Sequence, residues 1–345
     1  MPVRRLVVDL NSSAPTMALP SWGLERLRAA VPHGWEMVNI ASVTDSSGDG
    51  TNAVSDETMA AIGEAEAYFG YGLPASLVAA APQLRWAHSA SAGVGSSITP
   101  ELLSAGLVFT NSAGVYAEAM AETVLAGVLH FVRGLDHAVH QQRAGTWNKR
   151  PFQTPPFAVR EVADLRALVV GAGGIGRAVA RRLCALGATC TGVRRRPSLG
   201  VPEGFAAVIG PAALDAALPL ADVVVLAAPL TALSRGLLDA RRLALLPEGA
   251  IVVNVARGAL LDDAALLAAL DAGRLRGAAL DVFPSEPLPA EHPYWGHPRV
   301  LVTPHVSGVS PVRHWQRALE LFEDNWRRWV AGEPLRNVVD PVAGY

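Results

Sequence analysis

Three residues in the second half of the chain carry side chains suited to anion binding and proton transfer. Arg257 stands in NVARGAL, Glu286 in DVFPSEPL and His305 in TPHVSG. Each follows an apolar run that reads as a β-strand, so the three end successive strands of one sheet. A guanidinium offers a planar fork of donors that can grip a carboxylate and polarise a neighbouring carbonyl. An imidazole titrates in the range where proton transfer near neutral pH is useful. A carboxylate beside it can pair with the imidazolium and fix the ring. The set suits reduction of a 2-oxo acid, in which a ketone oxygen becomes an alkoxide and needs a proton. No metal is required. His292 and His297 lie near Glu291 in an irregular proline-rich run, and His88 and His130 read as structural residues of a strand and a helix.

Such a reduction needs a hydride source, and one stretch is built to hold it. In ALVVGAGGIGRAVA, residues 167–180, a short strand at 168–170 meets Gly171, Gly173 and Gly176 at G-x-G-x-x-G spacing. A helical pattern follows, with Ile175, Val179 and Leu183 on one face. Gly171 allows a sharp turn off the strand, Gly173 lets backbone approach a pyrophosphate, and Gly176 lets helix and strand pack closely. The helix N-terminus adds unpaired N–H groups and the positive end of a dipole.

The elements around these residues alternate strand and helix, the rhythm of parallel sheets covered by helices. Strands are expected at 5–10, 36–40, 67–71 and 84–88, with helices at 24–30, 55–62 and from Pro74 to near Pro82; residues 44–52 read as a loop. A small-residue loop, SASAGVGSS at 89–97, follows the fourth strand at a sheet edge where ligands bind. A long helix is expected over 115–135 and an irregular excursion over 141–159. The second α/β unit then runs through strands at 189–193, 222–227, 250–255, 277–282 and 300–303, with helices at 212–218, 239–245 and 262–271. A final amphipathic helix at 312–330 carries Leu319, Phe322 and Trp326 on one face.

The 345 residues suggest about two domains, each with its own core. Half the residues are hydrophobic and the mean hydropathy is +0.26, yet no apolar run reaches the length of a membrane span. A net charge of −2 without a basic block gives no reason to expect nucleic acid or an anionic membrane as a partner. Cys184 and Cys190, the two cysteines, sit in apolar patterns and read as buried thiols. A cytoplasmic enzyme is the expectation.

Taken together, GAGGIGRAVARRLCALG, AAPLTALSRGLL, LPEGAIVVNVARGALLDDAALLAAL, AALDVFPSEPLP and VTPHVSG resemble the D-2-hydroxyacid dehydrogenase family over nearly the whole chain. The order and spacing of Arg257, Glu286 and His305 fit the family's catalytic trio. The resemblance implies a Rossmann cofactor domain at 115–307 inserted into a flavodoxin-like substrate-binding domain formed by 1–114 and 308–345. Both would be doubly wound parallel sheets. It implies cofactor contacts at Gly174, Ile175, Gly176, Pro229, Val255, Ala256, Asp281, His305, Ser307 and Gly308. It also implies a substrate loop at Val94 and Gly95, working with Arg257 and His305. The long helix from Val115 would be hinge and dimer element of a homodimer. Two positions depart from the family: Gly95 stands where Asp is common, and Ala227 where many members carry histidine before Pro229 and Leu230.

The acidic residue that grips the adenosine ribose in NAD-specific units is absent after the strand at 189–193. Arg194, Arg195 and Arg196 follow instead. Guanidinium groups pair with a 2′-phosphate, so NADP(H) is the expected cofactor, with Arg195 its chief ligand and NAD(H) also possible. The alternative is a cofactor-sensing, corepressor-like protein of the same fold that binds protein partners. The intact trio favours an enzyme acting on a small 2-oxo or 2-hydroxy acid.

Overall fold

Short runs of aliphatic and β-branched residues give the chain its strands, and the near-complete burial of the central ones follows from cover on both faces. The computed structural model describes residues 3–44, 53–155 and 158–340. Two units form, one from Met1–Tyr116 with Val309–Tyr345 and the other from Ala117–Gly308, so the second interrupts the first in sequence.

The first unit holds β1 (Arg4–Asp9), β2 (Trp35–Asn39), β3 (Ala67–Gly70), β4 (Trp86–Ser89) and β5 (Val108–Asn111). All pairings are parallel, in the order β2-β1-β3-β4-β5 of a flavodoxin-like sheet. The C-terminal helix Arg313–Ala331 belongs to this unit, and its expected apolar face is buried. Phe322 stacks on Phe69 with ring centroids 4.1 Å apart, and Trp86 lies against the same ring. β5 and the helix Pro100–Ala105 before it are not among the expected elements. Of the loop expected at 44–52, residues 45–52 lie outside the described residues.

The second unit holds β6 (Arg166–Val170), β7 (Thr189–Val193), β8 (Ala207–Ile209), β9 (Val223–Leu226), β10 (Ala250–Asn254), β11 (Leu275–Leu280) and β12 (Val300–Val302). Their order, β12-β11-β10-β9-β6-β7-β8, is the dinucleotide-binding arrangement with one further strand. The direction of winding reverses between β6 and β9. Register aligns the strand ends: Val170 pairs with Leu226, Leu226 with Asn254, Asn254 with Leu280 and Leu280 with Val302. Everything placed just after those residues therefore stands along one edge. β8, three residues long, is not among the expected strands.

Three expectations need correction. The long helix is two: Ala117–Val132 ends where Gly134 takes φ +69°, and Leu135–Ala144 follows. The supposed excursion accordingly begins inside a helix and contains another turn at Arg150–Gln153; its residues 156–157 lie outside the described residues. Cys184, read as buried, is exposed, because it falls on the outer face of the helix Gly174–Ala185, while Cys190 in β7 is buried. Among the described residues no helix is long and apolar enough to cross a membrane.

Candidate active site at the edge of the second sheet

Beyond the aligned strand ends of the second unit, three loops carry Arg257, Glu286 and His305. Nδ1 of His305 lies 2.6 Å from Oε2 of Glu286. The other carboxylate oxygen accepts the backbone N–H of Phe283 at 2.9 Å, so Glu286 is itself oriented. With Nδ1 engaged, Nε2 is the ring nitrogen left for a reacting group. Neither side chain is sealed off: His305 is 41% exposed and Glu286 35%. Arg257, half-buried, donates from Nη1 to the carbonyl of Ala256 at 2.7 Å.

His305 adopts φ +52°, a left-handed conformation uncommon outside glycine, and the surroundings hold it there. Its N–H donates to the backbone carbonyl of Asp281. The Asp281 carboxylate, 1% exposed, accepts from the Thr303 hydroxyl at 2.6 Å and from the N–H groups of Val306 and Ser307 at 2.9 and 3.0 Å. Asp281 thus shapes the histidine loop on both sides of the ring. Ser307, 3% exposed, is fixed by this bond and Gly308 follows it.

The glycine turn fits a dinucleotide. Gly171 has φ +108°, and a Cβ there would lie 2.4 Å from the carbonyl oxygen of Ala227. A Cβ on Gly176 would lie 1.9 Å from the carbonyl oxygen of Gly171, so helix and strand meet at backbone distance. Gly173 and Gly174 stand exposed at the start of the helix, with Ile175 half-buried beside them. That leaves room for phosphate against unpaired N–H groups. Along the same edge Pro229 is exposed, whereas Val255 and Ala256 are buried under the turn before Arg257. After β7, Arg194 turns back and donates to the carbonyls of Pro197 and Gly200, while Arg195 and Arg196 are exposed.

In the first unit, the loop containing Val94 and Gly95 follows β4. Val94 is 2% exposed and Gly95 opens a 3₁₀ turn, Gly95–Ser97, with its backbone at the surface. The Asn111 amide donates to the carbonyl of Ala92 at 2.8 Å, and the N–H of Ser112 to that of Ser91 at 3.1 Å. His88, just before this loop, is wholly buried between Thr110 and Ser112, and burial pushes it down to about 3.

Of the residues that shape the loops, Asp281 is expected from the sequence only as a cofactor contact, and Asn254, whose side chain closes the turn at Arg257, is not expected at all. A lone polar residue closing an apolar strand, as in AIVVN or AALD, is the signal that marks them. Among the described residues no group of three or more His, Cys, Asp or Glu is arranged to hold a metal.

Residues 125–307 match the family described as D-isomer specific 2-hydroxyacid dehydrogenase, NAD binding domain. A glyoxylate/hydroxypyruvate reductase A of Salmonella newport is 36% identical over 228 residues, covering 66% of this chain and 69% of that protein. A D-isomer specific 2-hydroxyacid dehydrogenase from Xanthobacter autotrophicus Py2, solved in complex with NADPH and MES, superposes with a TM-score of 0.79 at 32% identity, covering 99% of this chain and 100% of that one. An NADPH-dependent glyoxylate/hydroxypyruvate reductase from Sinorhizobium meliloti, solved with NADP and sulfate, gives 0.78 at 29% identity, with 99% and 100% covered.

Proposed function

The chain belongs to the D-isomer specific 2-hydroxyacid dehydrogenase family, and on that premise we propose that it uses NADP(H) to reduce a small 2-oxo acid to the D-2-hydroxy acid. Glyoxylate, hydroxypyruvate or a similar compound is the substrate, in keeping with the named activity of the Salmonella and Sinorhizobium relatives. The observation that carries the reading is the His305–Glu286 contact on the sheet edge that also bears the glycine turn.

In this reading the cofactor, held along Gly171, Gly173, Gly174, Ile175 and Gly176, supplies the hydride. Arg257 grips the substrate carboxylate with its fork and polarises the ketone. His305, oriented through Nδ1 by Glu286, passes a proton from Nε2 to the oxygen as the alkoxide forms. Two electrons and one hydrogen arrive with the hydride and the second hydrogen comes from the imidazolium, so the reduction balances. Val94 and Gly95 serve as the substrate loop, offering backbone N–H groups to the carboxylate. The domain holding the glycine turn is the cofactor domain, and the other binds substrate.

The arginines after β7 favour the cofactor bearing a 2′-phosphate, with Arg195 as chief ligand and Arg196 beside it. The bound NADPH and NADP of two structural neighbours support this choice. Because cells keep that pool reduced, the working direction is reduction. A homodimer is part of the proposal: the helix Leu135–Ala144 buries none of its residues, Leu135 and Val139 stand exposed on it, and the 90%-exposed Trp147 follows just after its end. The enzyme is cytoplasmic in this account. A cofactor-sensing interaction protein is the less favoured reading, since it has no use for an oriented imidazole. The test is kcat/KM for glyoxylate with NADPH and with NADH, in the parent and in Arg195→Ala. NADPH is expected to be preferred, and the variant to lose most of that preference. Equal or better use of NADH by the parent contradicts the cofactor assignment.

A further inference from the structure

Arg257 has to present its fork at a fixed place, yet it sits on a turn, and the side chain that shapes that turn has no part in the chemistry above. It is Asn254, the last residue of β10, with no exposed surface at all. Its backbone carbonyl is taken by the N–H of Asp281 at 3.0 Å. Its side chain reaches forward instead. Oδ1 accepts the N–H of Ala256 at 3.1 Å, and Nδ2 donates to the carbonyl of Arg257 at 3.0 Å. One amide therefore closes the turn at two points on either side of the Arg257 Cα. No other side chain of this size offers a donor and an acceptor in that fixed geometry.

The far side of the turn is equally confined. A Cβ on Gly258 would lie 2.0 Å from the carbonyl carbon of Phe283, so the backbone after Arg257 rests directly on the chain leading to Glu286. Phe283 in turn donates its N–H to Glu286, which holds His305. The position of Arg257 relative to the acid–base pair is thus set by Asn254 from below and by Phe283 alongside.

Resting on the proposed reduction, we infer that Asn254 is a positioning residue for Arg257, acting on substrate binding and turnover through the turn it closes. Asn254→Asp keeps the shape, loses the donor and faces an anionic oxygen toward the Arg257 carbonyl. Asn254→Ser keeps an acceptor for the N–H of Ala256 and serves where the first variant does not fold. A group displaced by an ångström costs roughly a hundredfold in rate, and a loss of about that size in kcat/KM for glyoxylate is expected. KM should rise as kcat falls, while the Kd for NADPH stays within about threefold of the parent.

The decisive readout is the double-mutant cycle with Arg257→Ala. If Asn254 acts through Arg257, changing it in the Arg257→Ala background moves kcat/KM by less than about threefold, although thermal stability falls as in the single variant. Multiplicative losses in the cycle overturn the inference and show Asn254 acting on turnover independently of Arg257, and an unchanged kcat/KM in the single variant overturns it too and leaves Asn254 a stability residue only. A parent that turns over no 2-oxo acid overturns the proposed function and this inference together. An active parent with multiplicative losses overturns this inference alone.

Discussion

At the carboxyl edge of the first sheet the His88 ring is fully buried and bonded to two hydroxyls, whereas at the same edge of the second sheet the His305 side chain is 41% exposed and bonded to a carboxylate. His88 lies next to the last residue of β4 and His305 follows β12, each in a parallel, doubly wound sheet. Burial pushes His88 down to about 3, so it stays neutral and ties β4 to β5. His305 pairs Nδ1 with Glu286 and leaves its side chain partly open to solvent. The acids differ in the same way. Asp9 ends β1 with no exposed surface, and burial raises it above the usual carboxylate range against bonds from Thr44, Thr58 and Tyr68. Glu286 stands 35% exposed with an imidazole as partner. Architecture alone does not choose the reactive edge. Solvent access and the partner of each titratable group do.

The sharpest way to break this contrast is to remove each histidine in turn. His305→Ala is expected to lower turnover roughly 10²–10⁴-fold while the Kd for NADPH and the melting temperature barely move. His88→Ala should do the reverse, costing about 3 kcal/mol of stability through a cavity and the loss of two hydrogen bonds, as denaturant unfolding will read. Near-normal turnover in the first variant would remove His305 from the mechanism. Arg257→Lys comes next, since an ammonium cannot reproduce a two-pronged grip; about a hundredfold loss in kcat/KM is expected, divided between kcat and KM.

A smaller effect tests the acids. Asp9 is raised in the folded protein, so its ionisation opposes folding. Relative to a chain without it, stability is intact below the unfolded carboxylate value and is lost as pH rises through the folded value. Asp9→Asn should therefore melt higher than the parent at pH 7, with the advantage shrinking toward about pH 4. An advantage that grows on acidification would reverse the sign assigned to Asp9. The smallest contrast is between the thiols. Cys184, on the exposed helix face, should react with a maleimide in the native protein, whereas Cys190, buried and pushed up to about 12, should react only on unfolding.

These contrasts also mark what could be read without coordinates. The glycine turn and the residues Arg257, Glu286 and His305 were legible because each is a distinctive type placed just after an apolar run. The strands β5 and β8 were not. Cys184 was misjudged because apolar neighbours in sequence do not fix which face of a helix a residue occupies. Nor could the sequence tell that Arg194 spends its guanidinium on the carbonyls of its own loop, or that Asn254 and Asp281 shape the turns. Those roles depend on partners brought together only by the fold.

The most direct test of the account is the product itself. Purified protein given NADPH and hydroxypyruvate should consume the two in equal amounts and yield D-glycerate, identified by chiral separation. Glycerate of the L form, or no consumption of NADPH with hydroxypyruvate, glyoxylate or pyruvate, would contradict it.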